Sequence, residues 1–172
     1  MSGLSERNMR NSTDNRDCVF CSIVRGEAES ATVFEDASTL AFQDIRQPNE
    51  GKVLVVPKNH FEQIYDLDDE IASALARTVR RVARAVRRVY DPEGLSIWQS
   101  NGPAAGQEIP HVHWHVLPRW ANDGLLVFYP QGVAGRARSR SMQFLRSISG
   151  PLIEALKDDP ESPRPCEGRI RE

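Results

Sequence analysis

Three of the four histidines in the chain lie within five residues, at every second position. They alternate with apolar residues in the order His111, Val112, His113, Trp114, His115, Val116. This alternation predicts a half-buried strand from His111 to Pro118. Side chains two residues apart share one face of a strand, so the imidazoles should line one side while the apolar side chains enter the core. Three imidazoles on one face indicate a chemical site rather than a packing solution.

Length, composition and charge are those of an ordinary globular chain. Its 172 residues suit one domain with a sizeable core, and 40% of them are hydrophobic and 27% charged. A net charge of −2 gives no drive toward nucleic acid or acidic membranes. No apolar run approaches the ~20 residues that cross a bilayer, and no apolar signal core is present. Three cysteines do not make a disulfide framework, so we expect a cytoplasmic protein.

The pattern of apolar and turn-forming residues predicts short strands and one long helix. Residues 1–17 are polar and aperiodic and should form a disordered leader. Strands are expected at Thr32–Glu35, Leu40–Asp44, Gly51–Pro57 and Leu95–Gln99. Beyond Trp120 the pattern loosens into an extension, residues 121–172. We expect helices there over residues 138–148 and 151–157, followed by a frayed end.

The long helix should start after a capping aspartate at 66 or 68 and end before Pro92. Its apolar stripe is Leu75, Val79, Val82, Val86 and Val89. Its other faces carry Arg77, Arg80, Arg81, Arg84, Arg87 and Arg88. Such a helix can bind nucleic acid or phosphates, but a solvated face paired with nearby acids has the same composition. The negative net charge favours the solvated face, so we do not expect nucleic acid as a partner.

Cys18 and Cys21 form a C-x-x-C pair at the start of the folded part. The spacing fits a metal site, a redox pair or two buried thiols. A closed zinc site needs two more nitrogen or sulfur ligands. His60 is the one histidine outside the triad, and the fourth ligand would be a triad histidine or Cys166. His111, at the start of its strand, is the economical choice because it leaves the other two triad histidines free.

A loop with two glycines runs from Asn101 to Gln107, directly before the histidines. Two glycines alone are weak evidence for phosphate binding, because any turn can need them. The position of the loop makes the difference, since it brings backbone N–H groups beside the imidazoles.

Several stretches, in this order, resemble the histidine triad (HIT) family of nucleotide hydrolases and transferases. They are CVFCSIVRGE, the strand pair that ends in AFQDI, GKVLVVPKNHFEQI and SNGPAAGQEIPHVHWHVLPR. The resemblance implies a domain over residues 18–120 with an α+β fold: a mostly antiparallel sheet and one long helix, paired into a two-fold homodimer. It also implies one structural zinc ion per chain, held by Cys18, Cys21, His60 and His111.

The same resemblance implies a pocket for a nucleoside monophosphate. The positions that would contact the base are Phe20, Ile23, Phe42 and Ile45. Asp44 matches the carboxylate that binds the ribose hydroxyls. The loop positions that would face the phosphate are Asn101, Gly106 and Gln107. From the residues alone, the four apolar side chains would belong to the core and Asp44 would be a strand-ending carboxylate.

In the family, the middle histidine attacks the α-phosphorus, which here implies His113 as the nucleophile. His115 would donate a hydrogen bond to the phosphoryl oxygens. A neutral imidazole can act as a nucleophile near pH 7. We therefore expect an enzyme that hydrolyses a nucleoside phosphoramidate or mixed anhydride through a nucleotidyl-histidine. The alternatives are a dinucleoside polyphosphate hydrolase or phosphorylase, a nucleic-acid deadenylating enzyme, and a zinc-stabilised nucleotide-binding module with little turnover.

Two features depart from the family pattern. Glu108 follows Gln107 where many members carry Ser or Thr, whose hydroxyl helps the leaving group. Its carboxylate would repel substrate phosphates unless it is protonated or turned away, which puts amine-leaving substrates in question. The long chain after Trp120 is the second departure, in a region that often sets leaving-group specificity in the family.

Overall fold

The computed structural model describes residues 15–125 together with Ser141, Gln143 and Ser149. The chain divides into two units, Met1–Leu125 and Leu126–Glu172, and the sheet and helices described below belong to the first. Most of the expected leader and both helices expected after residue 137 lie outside the described residues, the three isolated positions excepted. At the end of the expected leader, the Cys18 N–H donates to the Asn15 carbonyl (3.2 Å).

Five strands form one sheet in which every neighbouring pair is antiparallel. They are β1 (Thr32–Glu35), β2 (Thr39–Gln43), β3 (Val53–Pro57), β4 (Gly94–Gln99) and β5 (Trp114–Arg119), in the spatial order β1-β2-β3-β5-β4. The four strands expected between residues 32 and 99 are all present, with ends shifted by at most two residues. Because β5 enters between β3 and β4, the end of the histidine run lies inside the sheet rather than at its edge.

The expectation that the strand begins at His111 was wrong, because β5 begins at Trp114. The preceding segment forms its hydrogen bonds with loops instead of with β3. The Val112 N–H donates to the Phe61 carbonyl (2.7 Å), and the His111 N–H donates to the Ile109 carbonyl (2.8 Å). His115 is thus held by the sheet, whereas the two earlier histidines are held by the loop that leads into it.

The long helix α2 (Asp69–Tyr90) begins and ends close to where the sequence predicts. The Asp68 carboxylate caps it by accepting the Ile71 N–H (2.7 Å), and Asp91 in the left-handed conformation ends it. All six arginines are exposed. Among the described residues, only Arg81 of these six lies within 4.0 Å of an acidic group, that of Asp36. No helix in the described part of the chain is long and apolar enough to cross a membrane.

The apolar stripe of α2 differs from the expectation in its last turn. Leu75, Val79, Val82 and Val86 are buried, but Val89 is 73% exposed, so the expectation for Val89 was wrong. Tyr90, four residues after Val86, turns inward in its place. Its ring lies so close to Gly51 that a Cβ added there would be 2.5 Å from the ring, and Gly51 has a φ of +94°. Only glycine fits this contact.

The two faces of the sheet bury different residues. One face packs against α2 through a core that includes Ala41, Val53, Val55, Val112 and Val116, with Trp114 against it. The other face is covered by the short helix α1 (Val19–Val24), with Cys18, Phe20, Cys21, Leu40, Phe42, Leu54 and Val56. The apolar side chains of the histidine run therefore enter the core against α2, as the alternation predicts.

Candidate active site and metal site

Four buried metal-binding side chains converge beside α1. Cys18, Cys21, His60 and His111 place their ligand atoms within 4.8 Å of one another. The Cys21 Sγ lies 3.3 Å from His60 Nδ1 and 3.6 Å from His111 Nδ1, and the Cys18 Sγ lies 3.4 Å from His111 Nδ1. A tetrahedral site with bonds of about 2.0–2.3 Å has ligand atoms about 3.3–3.8 Å apart. The four residues therefore fit a metal ion.

The hydrogen bonds of His111 give its two ring nitrogens different roles. Its Nε2 lies 3.0 Å from the Pro57 carbonyl oxygen, which can only accept, so Nε2 carries the proton. Its Nδ1 is left with a lone pair beside the two sulfurs. Burial lowers the pKa of His111 to about 4, so the ring stays neutral near pH 7. A neutral imidazole whose outer N–H is bonded to a carbonyl is the usual form of a metal-binding histidine.

The thiol of Cys21 does not have the character of a redox cysteine. Burial, followed by the neighbouring Cys18, raises the pKa of Cys21 to about 12. A reactive redox pair needs a lowered thiol pKa, and a bound cation would instead favour the thiolate directly. The raised pKa thus argues against a redox pair, while the four converging ligand atoms fit a metal site.

His113 is buried, and one of its ring nitrogens is fixed by the backbone. Its Nδ1 lies 2.6 Å from the His111 carbonyl oxygen, so Nδ1 donates and Nε2 keeps its lone pair. The ring of Phe20 approaches edge-on with its centroid 5.3 Å away. Burial lowers the pKa of His113, which keeps the imidazole neutral and nucleophilic near pH 7.

His115 contacts two aromatic rings. Its ring stacks on Trp98, the residue that pairs with it on β4, at a centroid distance of 4.3 Å and an angle of 10°. The His113 ring meets it edge to face at a centroid distance of 4.9 Å. Burial, and after it the charges of His113 and Lys52, lowers the pKa of His115 to about 4. Its Nδ1 is buried and has no hydrogen-bond partner among the described residues.

The structure brings three of the four predicted base-contacting residues to one apolar wall. Phe20 and Phe42 are buried and meet edge to face at 5.6 Å, and Ile23 packs against the same cluster. Ile45 stands apart, because it is 96% exposed at the end of the wall.

Asp44, the predicted ribose carboxylate, follows β2 on the same side of the sheet. Its Oδ2 lies 2.6 Å from Lys52 Nζ in an ion pair whose side chains are about 10% exposed. Its Oδ1 accepts the Arg46 N–H (2.9 Å). Gln47 fixes the backbone of both partners, since its amide accepts the Lys52 N–H (2.9 Å) and donates to the Asp44 carbonyl (2.6 Å).

The side chains of the predicted phosphate loop mainly brace the loop itself. Gln107 Oε1 accepts the Gly102 N–H (2.6 Å), while its Nε2 donates to the Glu62 carbonyl (2.7 Å). Asn101 Oδ1 accepts the Ile64 N–H (2.8 Å). These bonds set the shape of the loop.

The backbone N–H groups of the loop fall into two sets. Gly106, at a φ of +85°, donates to the Pro103 carbonyl (3.0 Å), and the Gln107 N–H donates to the Gly102 carbonyl (3.2 Å). The N–H groups of Glu108 and Ile109 have no partner in the part of the chain that the structure describes. Glu108 itself forms an ion pair with Arg46 (2.7 Å) at the surface.

A family model described as the HIT domain matches residues 25–122, more than half of the chain. The chain belongs to the HIT family. "Protein hit" of Bacillus subtilis is 43% identical over 104 residues, which cover 60% of this chain and 72% of that protein. An adenosine 5′-monophosphoramidase of Schizosaccharomyces pombe is 36% identical, covering 59% and 74%. An adenylylsulfatase of Arabidopsis thaliana is 31% identical, covering 68% and 62%.

Solved HIT structures share the fold. A HIT family member from Bacillus subtilis matches with a TM-score of 0.72 and 36% identity, over 80% of this chain and 96% of that one. A Zn-bound histidine triad family protein from Mycobacterium smegmatis matches with a TM-score of 0.60 and 33% identity, also over 80% and 96%. The family and the α+β fold inferred from the sequence are thereby confirmed.

Two residues beside the site, Lys52 and Trp98, were not predicted from the sequence of this HIT domain. Lys52 lies at the start of an apolar run, and its even spacing from Leu54 and Val56 is a signal that could have placed it on the site face. Trp98 offered no comparable signal, because its position opposite His115 depends on the register between β4 and β5.

Proposed function

We propose that this HIT protein hydrolyses a nucleoside phosphoramidate or mixed anhydride at the α-phosphorus through a nucleotidyl-histidine intermediate. One observation carries the proposal. The His113 Nδ1–H is fixed on the His111 carbonyl at 2.6 Å, so a neutral ring with an available Nε2 lone pair lies in the buried site. The relatives named as a monophosphoramidase and an adenylylsulfatase support the same class of reaction.

The reaction proceeds in two displacements. In the first, His113 Nε2 forms a bond to the α-phosphorus, and the leaving group departs with the electron pair of the bond that breaks. The positive charge that develops on the ring is stabilised by the Nδ1–H bond to the His111 carbonyl. In the second, water forms a bond to phosphorus and loses a proton to solvent, and the P–N bond breaks to restore His113. His115 donates a hydrogen bond to a phosphoryl oxygen in both steps.

The surroundings of His113 provide places for each part of a nucleotide. The aromatic wall of Phe20 and Phe42 suits a base, and Asp44 supplies carboxylate oxygens for ribose hydroxyls. The N–H groups of Glu108 and Ile109 are donors for a phosphate. Gln107 contributes through its backbone position and by bracing the loop, since both ends of its amide are already hydrogen-bonded.

The metal in this proposal is zinc, with a structural role. Two thiolates and two imidazoles are a usual ligand set for structural zinc, and a Zn-bound relative shares the fold. All four positions would be filled by protein ligands, which would leave none for substrate. The ion would tie α1 to the loops before β5 and after β3, and so hold Phe20 against His113.

The ion pair between Glu108 and Arg46 bears on the leaving group. The hydrogen bond and charge of Arg46 lower the pKa of Glu108, so this carboxylate is ionised and has no proton to give to a departing amine. A mixed anhydride releases an anion that leaves without a proton. The pair therefore favours mixed anhydrides within the proposed substrate class, and dinucleoside polyphosphates are a second candidate for the same reason.

A panel of purified substrates tests the proposal. Adenosine and guanosine phosphoramidates, adenylyl sulfate, dinucleoside polyphosphates and nucleotide sugars are incubated with the protein, and nucleoside monophosphate is measured by chromatography. We expect hydrolysis of at least one phosphoramidate or mixed anhydride, with faster release of anionic leaving groups than of amines. Tight binding of a nucleoside monophosphate without turnover of any member would support the binding-module alternative instead.

We also propose that the protein forms a two-fold homodimer through β4 and α2. β4 is an edge strand, and Ile97 on it is 41% exposed. A cleft of about 430 Å³ lies between this strand and α2. Its lining is mainly apolar and includes Val79, Leu95 and Trp114, with Arg80, Arg84 and Arg87 also lining it. A mainly apolar cleft beside an edge strand suits an isologous interface, and two-fold dimers are the commonest oligomers.

Sedimentation at micromolar concentration should give the mass of two chains. Ile97→Glu should shift the mass to one chain, because it places a charge in the proposed interface. Val33→Glu is the matched control, since Val33 is 49% exposed on the opposite edge strand β1. A wild-type monomer, or equal effects of the two substitutions, would contradict the β4 interface.

A further inference from the structure

We infer that Lys52 binds the phosphate of the bound nucleotide. To do so, its ammonium group partly gives up its ion pair with Asp44. The inference rests on the proposed function for the identity of the ligand class, a nucleoside monophosphate or its ester. It assigns a role to the residue that directly precedes β3, which the reaction described above does not use.

Lys52 is a buried cation on the reactive face of the sheet. Only 11% of its side chain is exposed, and its Nζ lies 5.7 Å from the centre of the Trp98 ring. Trp98 in turn stacks on His115 at 4.3 Å. The ammonium group therefore lies one aromatic ring away from the histidine that is proposed to contact the phosphoryl oxygens.

Burial of this ion pair calls for an explanation other than stability. Taking two charges out of water carries a large desolvation cost, and apolar residues of similar size often stabilise a fold as well. The neighbours Leu54 and Val56 on the same strand face are apolar and buried. A lysine retained beside them is best understood as a charge that a ligand uses.

The reaction requires positive charge that the histidines do not supply. Phosphoryl transfer is accelerated mainly by electrostatic stabilisation of the phosphate oxygens. Burial is the main cause that lowers the pKa of His115 to about 4. This ring is therefore neutral near pH 7 and can offer only an uncharged N–H group. Arg46 is paired with Glu108, and its side chain is 70% exposed, where water screens its charge. Among the described residues, Lys52 is a buried cation whose Nζ lies close to the Trp98 ring that stacks on His115.

The pairing with Asp44 suits an exchange of partners. Asp44 is also the proposed ribose ligand, and its Oδ1 already accepts the Arg46 N–H. When ribose hydroxyls donate to Asp44, its need for Lys52 falls, and the ammonium can form a charge-assisted bond to phosphate. The Gln47 side chain holds the backbone of both residues throughout, so the exchange needs only side-chain rotation.

The test compares two probes that differ only in the phosphate. Adenosine and adenosine 5′-monophosphate are titrated into the protein by calorimetry at one ionic strength, and the ratio of their dissociation constants measures the phosphate contribution. In Lys52→Met, we expect this ratio to fall by about tenfold or more, because a charge-assisted hydrogen bond is lost. Lys52→Arg should keep most of it. Lys58→Met is the matched control, a cation just after β3 that pairs with Glu35.

A second pair of variants removes any ambiguity from folding. Lys52→Met leaves the Asp44 carboxylate without its cation, so Asp44→Asn is compared with the double variant Asp44→Asn/Lys52→Met. We expect the ratio to stay high in the first and to fall in the second, although both lack the carboxylate. If removing Lys52 weakens the binding of adenosine and of adenosine 5′-monophosphate by the same factor, the ratio of the dissociation constants is unchanged. That result would show that Lys52 acts through Asp44, and it would overturn the inference.

The two proposals fail in different ways. If the ratio of the dissociation constants depends on Lys52 but the protein hydrolyses no substrate of the panel, the proposed reaction is contradicted and the phosphate contact is supported. If the protein hydrolyses a substrate but the ratio does not change without Lys52, only the phosphate contact is contradicted. Wild-type protein that binds the two probes equally tightly would also overturn the role of Lys52.

Discussion

Replacing His113 with alanine is expected to reduce turnover by a factor on the order of 10⁴ or more while leaving nucleotide binding in place. The change removes the atom proposed to bond with phosphorus, and no other imidazole can take its position. His111 has its Nε2 proton on the Pro57 carbonyl and its Nδ1 beside two sulfurs. His115 is fixed in a stack with Trp98. Single-turnover kinetics and calorimetry with adenosine 5′-monophosphate measure the two effects separately.

The covalent intermediate separates the nucleophile from its neighbours. Wild-type protein quenched at alkaline pH during turnover should carry a nucleotidyl group on the peptide that contains residues 111–115, detected by mass spectrometry. His115→Ala is the matched control, because it removes an imidazole from the same peptide but should still form the adduct. Loss of one transition-state hydrogen bond costs about 10²–10³ in kcat, so this variant should remain measurably active. An active His113→Ala enzyme would rule out the mechanism.

The histidine run shows how much of the site the sequence alone can predict. Period-two alternation is a local property, and it correctly assigned the apolar residues of the run to the α2 core. The four candidate metal ligands could be chosen because the chain offers few other cysteines and histidines. What local pattern could not give was the start of β5, because Val112 bonds to Phe61, about 50 residues earlier in the chain.

The misplaced residues have a common physical cause. Val89 and Tyr90 both fall near the apolar side of α2, and the choice between them is made by Gly51, which leaves room for the larger ring. Lys52 was not predicted as a site residue, and its position beside Trp98 appears only in the structure. Gly51 and Tyr90, like Lys52 and Trp98, lie far apart along the chain, so one sequence without its fold cannot identify these contacts.

Removal of the metal is expected to weaken the fold more than it weakens the chemistry. A metal ion that binds only the folded state at a thousand times its dissociation constant stabilises that state by about 4 kcal/mol. For a domain of about 100 residues this corresponds to about 16–32 °C in the melting temperature. Cys18→Ser should therefore contain little metal by mass spectrometry and melt about that much lower. Cys166→Ser is the matched control, since Cys166 is the third cysteine of the chain and is not one of the four proposed ligands.

The comparison of stability with activity distinguishes a structural from a catalytic ion. The His113 Nδ1 bond is to the backbone carbonyl of His111, which does not require the metal as long as the loop keeps its position. Well below its melting temperature, Cys18→Ser should thus keep a kcat within about tenfold of the wild type. This is the smallest loss of activity that is usual when residues hydrogen-bonded to metal ligands are replaced. Loss of turnover in a variant that is still folded would place the ion in the reaction itself. Equal metal content in Cys18→Ser and wild type would instead refute the ligand assignment, because a site that has lost one of two thiolates cannot bind the ion as tightly.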